Sequence, residues 1–477
     1  MPYRVALINP ISKDEMPFIR IGRCQTHVQP GSGIWPAIDL ALIGGALKKI
    51  NGIEDVWLYD AQLDGNFDQM VHKITLYNPS IIIINCTTPT ANGDIALTSL
   101  LKQKLKEVFI IFFGMHVTVQ SEEIINTGVV DCCVIGEPEH IIEKLCKSYI
   151  ENGRSCLTGI HNVVLNIENK IIKTSLENEI NNVFFNLVPD RSLLNNRMYK
   201  LPYNNKVFTI IQTSRGCRNR CIYCTSPLYT PKYYSRPVDS VIEEIREVYY
   251  RYRIRDIMFL SDTFTADKDW IIQLCKKIID LNLDIHWIAN SRVDTMDSEI
   301  ADWMKRAGCW LISLGIESGD EKILKNAKKN ITTYNVRNAV KILKNIGILT
   351  IGYFMFGLPG ENIHTMKKTV KFARSLLLDY AYFFIATPFP GTKLYDMAVE
   401  NKWLITNNWD HFSHGRNCLI QYDDLSGTLL KRNVIKAYLT FYLRPAWIFY
   451  QLRNIRSLGI LINYLRAGKA ILKGVIK

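Results

Sequence analysis

The chain has 477 residues, 48% of them hydrophobic and 22% charged, with a formal net charge of +13. That length exceeds one ordinary core and implies two or three domains, and the composition excludes a disordered or low-complexity protein. Ten basic residues and no acidic one fall between Leu425 and Lys477, so most of the excess charge sits in one tail; a nucleic-acid enzyme spreads basic residues along a groove instead, and no nucleic-acid partner is expected.

The opening MPYRVALINP enters a strand-like run at once, without the basic and long apolar regions of a signal peptide. No apolar stretch reaches the roughly 18 residues needed to span a membrane. A cytoplasmic location is expected. Twelve cysteines in such a compartment do not form a disulfide framework. Nine are scattered through apolar segments and read as buried, inert thiols.

In chain order, short apolar runs at 5–8, 56–59, 81–85, 109–113 and 132–135 predict strands. Helical patterns at 38–50, 67–77 and 93–106 lie between them. Strands apolar on both faces and separated by helices predict a doubly wound parallel sheet over residues 1–150, with its ligand at the carboxyl ends of the strands. Residues 151–203 are polar and read as a linker carrying a small hairpin at 162–167 and 171–174. From residue 204 to 400 six strand–helix units follow, with strands at 208–213, 256–260, 284–289, 310–315, 349–356 and 380–386. Six units predict an open, partial (β/α)6 barrel. Residues 401–477 read as a helical, basic region. The fold class is therefore α/β, an N-terminal doubly wound parallel sheet plus a partial (β/α)6 barrel, with a helical C-terminal region.

The remaining three cysteines stand in TSRGCRNRCIYCTSP, directly after the first barrel strand, at Cys217, Cys221 and Cys224. Three thiolates on one short loop can hold three irons of a [4Fe–4S] cube and leave the fourth open. Zinc takes four ligands and finds no local fourth, and a redox dithiol needs only two cysteines.

This C-x3-C-x2-C run closely resembles the signature of the radical S-adenosylmethionine superfamily. The resemblance implies a cluster on Cys217, Cys221 and Cys224 whose open iron chelates S-adenosylmethionine, with Tyr223 bordering the adenine. The usual Gly-Gly-Glu after the second barrel strand is replaced by LSDTFTADK. Its Asp262 resembles an Asp of cobalamin-carrying relatives and reads otherwise as a helix cap or turn residue. Arg292 stands where the family places an arginine on a substrate carboxylate, and Glu317 where it places a polar group against the ribose or amine. GYFMFGLPGE, containing Gly357, resembles the glycine-rich fifth-strand motif that lets backbone approach adenine.

A doubly wound sheet ahead of such a barrel resembles the cobalamin-binding subfamily, similar to the hopanoid and magnesium-protoporphyrin cyclase-like enzymes. Its matching segments are CTTPT with Thr87 and Thr88, FFGMHVT with Gly114, and IGEPEH with Gly136 and Glu137. Small residues there would let the flat corrin lie on the strand ends. The Asp-x-His-x-x-Gly motif is absent, and His27, further along the first loop, reads as a solvated residue rather than a cobalt ligand. No G-x-G-x-x-G supports a dinucleotide instead.

The resemblance implies reductive cleavage of S-adenosylmethionine to a 5′-deoxyadenosyl radical, hydrogen abstraction from an unactivated carbon, and methyl transfer from cobalamin. A one-electron reductant of the flavodoxin or ferredoxin type would feed the cluster. No side chain is nominated as acid or base. A cyclase or rearranging enzyme without methyl transfer is the alternative, and a non-catalytic cobalamin or lipid carrier the alternative from another class. A methylthiotransferase would need a second cysteine triad, which Cys24, Cys86, Cys132 and Cys133 do not form. The tail mixes Lys and Arg with Trp447, Phe449, Tyr450 and Tyr464. It reads either as a peripheral membrane contact or as helices packed on the barrel; its Phe-Tyr-x-Arg-Pro element (441–445) resembles the C-terminus of cobalamin radical enzymes acting on hopanoids and magnesium-protoporphyrin, and that resemblance implies an apolar small-molecule substrate.

Overall fold

Seventeen strands and the helices between them were assigned in a computed structural model, which describes residues 2–22, 24–28, 33–177, 188–415, 417–445 and 447–448. In chain order the strands are β1 (Tyr3–Asn9), β2 (Phe18–Ile21), β3 (Cys24–His27), β4 (Ile53–Asp60), β5 (Ile81–Asn85), β6 (Phe109–Phe113), β7 (Cys132–Val134), β8 (Val163–Ile167) and β9 (Lys170–Lys173). The second half supplies β10 (Phe208–Gln212), β11 (Ser214–Arg215), β12 (Tyr234–Ser235), β13 (Asp256–Leu260), β14 (His286–Arg292), β15 (Cys309–Glu317), β16 (Leu349–Phe356) and β17 (Tyr380–Ile385).

The first sheet has the order β4-β1-β5-β6-β7-β8-β9. Every residue of β5 (IIIIN) and β6 (FIIFF) is buried, because helices cover both faces; the one polar side chain, Asn85 at the end of β5, donates to the Arg20 carbonyl (2.5 Å). The pairs β1–β4, β1–β5, β5–β6 and β6–β7 are parallel. The stretch expected as a linker adds β8 and β9 antiparallel to this sheet. The loop after β1 folds into the β2–β3 hairpin, which sequence alone did not indicate. Buried Arg20 pins it there: Nη1 donates to Asp94 Oδ2 (2.7 Å) and to the Asn85 carbonyl (3.0 Å), and Nη2 to the Pro10 carbonyl (2.9 Å).

The second sheet runs β10-β13-β14-β15-β16-β17, all parallel, an open barrel of six strands. Amphipathic helices cover its outside, and their termini are capped as their sequences dictate. Asp267 accepts from Trp270 N, Asp297 from Ile300 N, and Thr332 with Asn335 forms a capping box. One apolar core joins the two halves: Val5, Leu7 and Ile83 of the first sheet, Leu194, Tyr199 and Leu201 of the connection, and Ile210, Met258 and Ile288 inside the barrel.

The edge strand β17 carries unpaired backbone groups, which would otherwise invite pairing with another chain. The helix Gly427–Tyr442 covers them. Ala381 N donates to Tyr442 Oη (3.0 Å), which itself donates to the Ala381 carbonyl (2.8 Å), and Phe383 N donates to Tyr438 Oη (3.1 Å). Trp447 Nε1 donates to the Asp379 carbonyl (2.8 Å). This first part of the basic region packs on the barrel. Its remainder, with Phe449, Tyr450 and Tyr464, lies outside the described residues. Among the described residues no helix is long and apolar enough to cross a membrane.

Candidate active site

The cysteine loop is built from its base. After β10, Thr213 N donates to the Leu260 carbonyl (3.0 Å), and β11 pairs with β12, so Gly216 must turn the chain sharply. Its φ is +73°, and a Cβ there would lie 1.9 Å from the Lys232 carbonyl oxygen. Only glycine fits. Arg220 holds the turn from within, donating to the carbonyls of Cys217 (2.8 Å) and Pro231 (2.6 Å). Ile222 anchors the loop in a small apolar cluster with Leu358 and Leu394.

Cys217 is buried, its sulfur 3.6 Å from Thr263 Oγ1; Cys221 and Cys224 are half-buried. Among the described residues no three His, Cys, Asp or Glu side chains converge on one point. A cluster binds each thiolate to a different iron, so three sulfurs spread along one loop fit it.

Around the loop, the Tyr223 hydroxyl is buried beside the Glu317 carboxylate. Burial first, then the Glu317 carboxylate and the Cys221 and Cys224 sulfurs, hold its phenol well above the ordinary value. Asp262 follows β13 but is not a helix cap. The next helix starts at Lys268 and is capped by Asp267, while the Asp262 carboxylate accepts from Ser226 Oγ (2.5 Å).

Arg292 is buried at the end of β14 with a bidentate pair to Asp294 (2.9 Å each) and a bond from Nη2 to the Lys329 carbonyl (2.8 Å). Burial opposes its charge, but Asp294 and the cysteine sulfurs outweigh it and raise its pKa. Glu317 ends β15 in the left-handed region (φ +65°) and accepts from Lys329 Nζ (2.8 Å). Lys329 thus ties Arg292 to Glu317, and nothing in its own sequence context announced that role. Gly357 (φ +86°) donates to Glu361 Oε2 (2.5 Å), and its carbonyl accepts from Tyr422 Oη (2.8 Å). Burial pushes the Glu361 carboxyl up to about 8, despite hydrogen bonds from Gly357 and Leu358 N.

The facing rim belongs to the first sheet. Gly114 (φ +117°) follows β6; a Cβ would come within 2.4 Å of Asn85 Oδ1 and 2.6 Å of the Cys86 carbonyl. Thr87 Oγ1 lies 3.0 Å from Thr90 Oγ1 and closes its own turn. Thr88 N donates to Gln25 Oε1 (2.8 Å), while its buried hydroxyl has no partner. Gly136 (φ +75°) donates to Thr118 Oγ1 (3.1 Å). The Glu137 carboxylate is taken up by the barrel, accepting from Arg215 and Thr230, and Arg215 also donates to Glu139 (2.9 Å). Arg215, one residue before the glycine of the cysteine run, is a site residue that the motif itself did not single out. His27 is not a solvated loop residue: it lies buried on β3, its Nδ1 2.8 Å from Ser413 Oγ and its ring against Phe18.

Between the two rims opens a crevice bordered by Asp39, Asn85 and Gly114 on the sheet side and by Arg215, Tyr229 and Asp262 on the barrel side. Burial pushes the Asp39 carboxyl up to about 6, against hydrogen bonds from Leu40 N and Asn85. Ser261 adds a buried hydroxyl without a partner. The crevice therefore has the polar groups of a ligand site.

The three-thiol loop thus stands on an open barrel whose strand ends share a crevice with those of a doubly wound sheet, with Gly216 and Ser226 beside the loop on its lining. Residues 211–373 match the Radical SAM superfamily and residues 29–146 the B12 binding domain. An uncharacterized methyltransferase of Pyrococcus horikoshii is 32% identical over 413 residues, 86% of this chain and 88% of that protein. An anaerobic magnesium-protoporphyrin IX monomethyl ester cyclase of Rubrivivax gelatinosus is 25% identical over 452 residues, 92% of this chain and 80% of that protein. Two solved structures share the fold. The radical S-adenosylmethionine methyltransferase TsrM of Kitasatospora setae has a TM-score of 0.66 at 18% identity, over 84% of this chain and 77% of that one. The cobalamin-dependent S-adenosylmethionine radical enzyme OxsB has a TM-score of 0.73 at 12% identity, over 99% and 72%. The chain belongs to the cobalamin-binding radical S-adenosylmethionine enzymes, whose cofactors are a [4Fe–4S] cluster, S-adenosylmethionine and cobalamin.

Proposed function

We propose that this enzyme methylates an unactivated carbon of an apolar small molecule. The observation that carries the reading is the crevice itself, where the cysteine-loop face of the barrel and the strand ends of the cobalamin-type sheet share one space. When bound, the cluster and S-adenosylmethionine supply reductive radical generation, and cobalamin carries the methyl group. The protein's part is to hold and orient them. Cys217, Cys221 and Cys224 hold the cluster, Tyr223 borders the adenine, and Glu317, fixed by Lys329, meets the ribose or amine. Gly357 keeps the backbone low beside them. Arg292 shares its guanidinium between Asp294 and the charge of a bound carboxylate. Thr87 shapes the turn under the corrin, the Thr88 hydroxyl is open to its tail, and Gly114 and Gly136 leave the rim flat. Glu137 locks the two rims together through Arg215, and Asp262 stands at the crevice floor. An external one-electron reductant completes the system.

Methylation consumes a second S-adenosylmethionine as methyl donor, whereas cyclisation or rearrangement does not. Anaerobically reconstituted protein, dithionite, methyl-labelled S-adenosylmethionine and an extract of the source cells should therefore yield both 5′-deoxyadenosine and S-adenosylhomocysteine, with label in a product one methylene heavier. 5′-Deoxyadenosine without label transfer would favour the cyclase reading, which the relative from Rubrivivax gelatinosus supports through similarity over 92% of this chain.

A further inference from the structure

Gly216, Ser226 and Tyr229 turn one side of the cysteine loop to the crevice. The other side meets solvent, and its charge is of one sign. Residues 216–235 contain Arg218, Arg220 and Lys232 but no Asp or Glu, and all three cations are exposed. Arg220 bonds only backbone carbonyls of the turn, so no carboxylate offsets its charge. The Arg218 guanidinium lies 4.8 Å over the Tyr233 ring. Asp267, whose charge reaches Tyr233, is occupied in capping its own helix, where it accepts from Trp270 N (3.1 Å).

A second segment extends this surface. Ile222 N donates to the Ala327 carbonyl (3.2 Å), which sets the loop beside the stretch 321–330 with its exposed Lys322, Lys325 and Lys328. The neighbouring carboxylates are turned elsewhere: Glu321 accepts from Thr333 N and Oγ1 (2.7 Å each), and Asp320 pairs with Lys368 (2.9 Å). Across the loop, Leu394 N donates to the Ile222 carbonyl (2.9 Å), and the helix Lys393–Glu400 bounds the patch with Asp396 and Glu400. The ion pairs of this region run through Lys329, Lys368 and Lys393; among the described residues none takes in Arg218, Arg220, Lys232, Lys325 or Lys328. The tail from Leu425 holds ten of the +13 excess charges. The rest of the chain is nearly neutral, so this surface is a local concentration of charge.

Like charges gathered without partners cost free energy unless something of opposite sign meets them. Their place is informative, because Arg218 follows Cys217 and Arg220 precedes the half-buried Cys221. The crevice side of the loop faces the other rim, which leaves this outer face as the open approach to the thiols. Redox proteins meet through small, transient, charge-steered contacts. We propose that the outer face of the cysteine loop, with Arg218, Lys232, Lys325 and Lys328, docks an acidic protein electron carrier of the flavodoxin or ferredoxin type. This rests on the reading of the loop as the seat of the cluster. The carrier is oxidised by one electron and the cluster reduced by one; no atom or proton passes between the proteins.

Stopped-flow mixing of the anaerobically reconstituted full-length enzyme with a strongly acidic flavodoxin hydroquinone, read by formation of the flavin semiquinone, tests the surface. The second-order rate constant should fall at least about tenfold between about 0.01 and 1 M NaCl, as the screening length drops from roughly 30 Å to 3 Å. At low salt, Arg218→Glu with Lys232→Glu, and separately Lys325→Glu with Lys328→Glu, should each slow it at least about tenfold. Lys49→Glu with Lys106→Glu, the same change of charge at exposed positions of the first sheet's domain, should leave it within about twofold. Dithionite needs no protein dock and should reduce the cluster fully in every variant. The pair at 325 and 328 lies outside the cysteine loop and keeps the test open if the other pair assembles no cluster. A rate independent of salt, unchanged in either cluster-bearing variant, or slowed as much by the remote pair would overturn the proposal. If the wild type holds a cluster that dithionite reduces, these outcomes remove the docking surface alone; if it holds none, the reading of the loop falls.

Discussion

The two halves of the molecule both offer the carboxyl ends of parallel strands to one crevice, yet they finish those ends differently. On the sheet side the rim is bonded to itself: Thr87 serves Thr90, Gly136 serves Thr118, and Gly114 is required by Asn85 and Cys86 beneath it. On the barrel side three thiols without disulfides stand on one loop, and the Ser261 hydroxyl is buried without a partner, as the Thr88 hydroxyl is on the sheet side. The difference separates shape from bonding. A surface that receives a large flat cofactor needs flatness, which small residues and closed turns give. A surface that must bond a cluster and a charged nucleoside needs unspent ligands.

The sharpest way to break this comparison is at the cysteines. Replacing Cys217, Cys221 or Cys224 by Ala should remove the brown chromophore and bring 5′-deoxyadenosine formation to background, with cobalamin still bound; retention of the cluster would refute the assignment. Next comes the joint between the halves. Arg215→Met strands the buried Glu137 and Glu139 carboxylates and should cost about 3–5 kcal/mol in chemical denaturation. Adding Glu137→Gln should restore part of it, and a fully additive double variant would mean the residues do not act as one unit.

The two glycines test the division of labour. Gly216→Ala and Gly114→Ala each meet backbone or side-chain oxygen inside contact distance and a left-handed φ, a strain of about 1–3 kcal/mol. The first should lower iron content with cobalamin affinity intact, and the second the reverse. The smallest effect concerns Glu361. Its carboxyl is raised by burial from 4.5 to about 8, so its folded form is protonated where the unfolded form is not. Its contribution to stability is full below about pH 4.5 and lost as pH rises through 8. Urea midpoints should therefore fall between pH 5 and 8, and Glu361→Gln should flatten that slope. The part below pH 6 should remain, because Asp39 and Asp60 are likewise raised by burial to about 6.

Much of the fold was legible because its strands are apolar on both faces. Runs such as IIIIN and FIIFF have one plausible environment, the middle of a parallel sheet covered by helices, and 81–85 and 109–113 appear as read. The β2–β3 hairpin was not legible: FIRI and CQTH are short and mixed, and they are strands because Arg20 reaches Asp94, seventy-four residues away. His27 was misread for the same reason, since its partner Ser413 belongs to the other end of the chain. The linker hairpin was visible as a hairpin but not as an extension of the first sheet, since pairing to β7 leaves no mark on local alternation.

By itself the sequence determined the three-thiol loop and the parallel sheets on either side of it, because ligand spacing and hydrophobic period are local properties. It could not show that Glu137 spends its charge on Arg215, that Lys329 holds Glu317, or that Tyr353 of β16 meets Tyr382 and Phe384 of β17. Those depend on which strand ends face each other and on register between strands, and both are fixed only when the two sheets pack around their shared core.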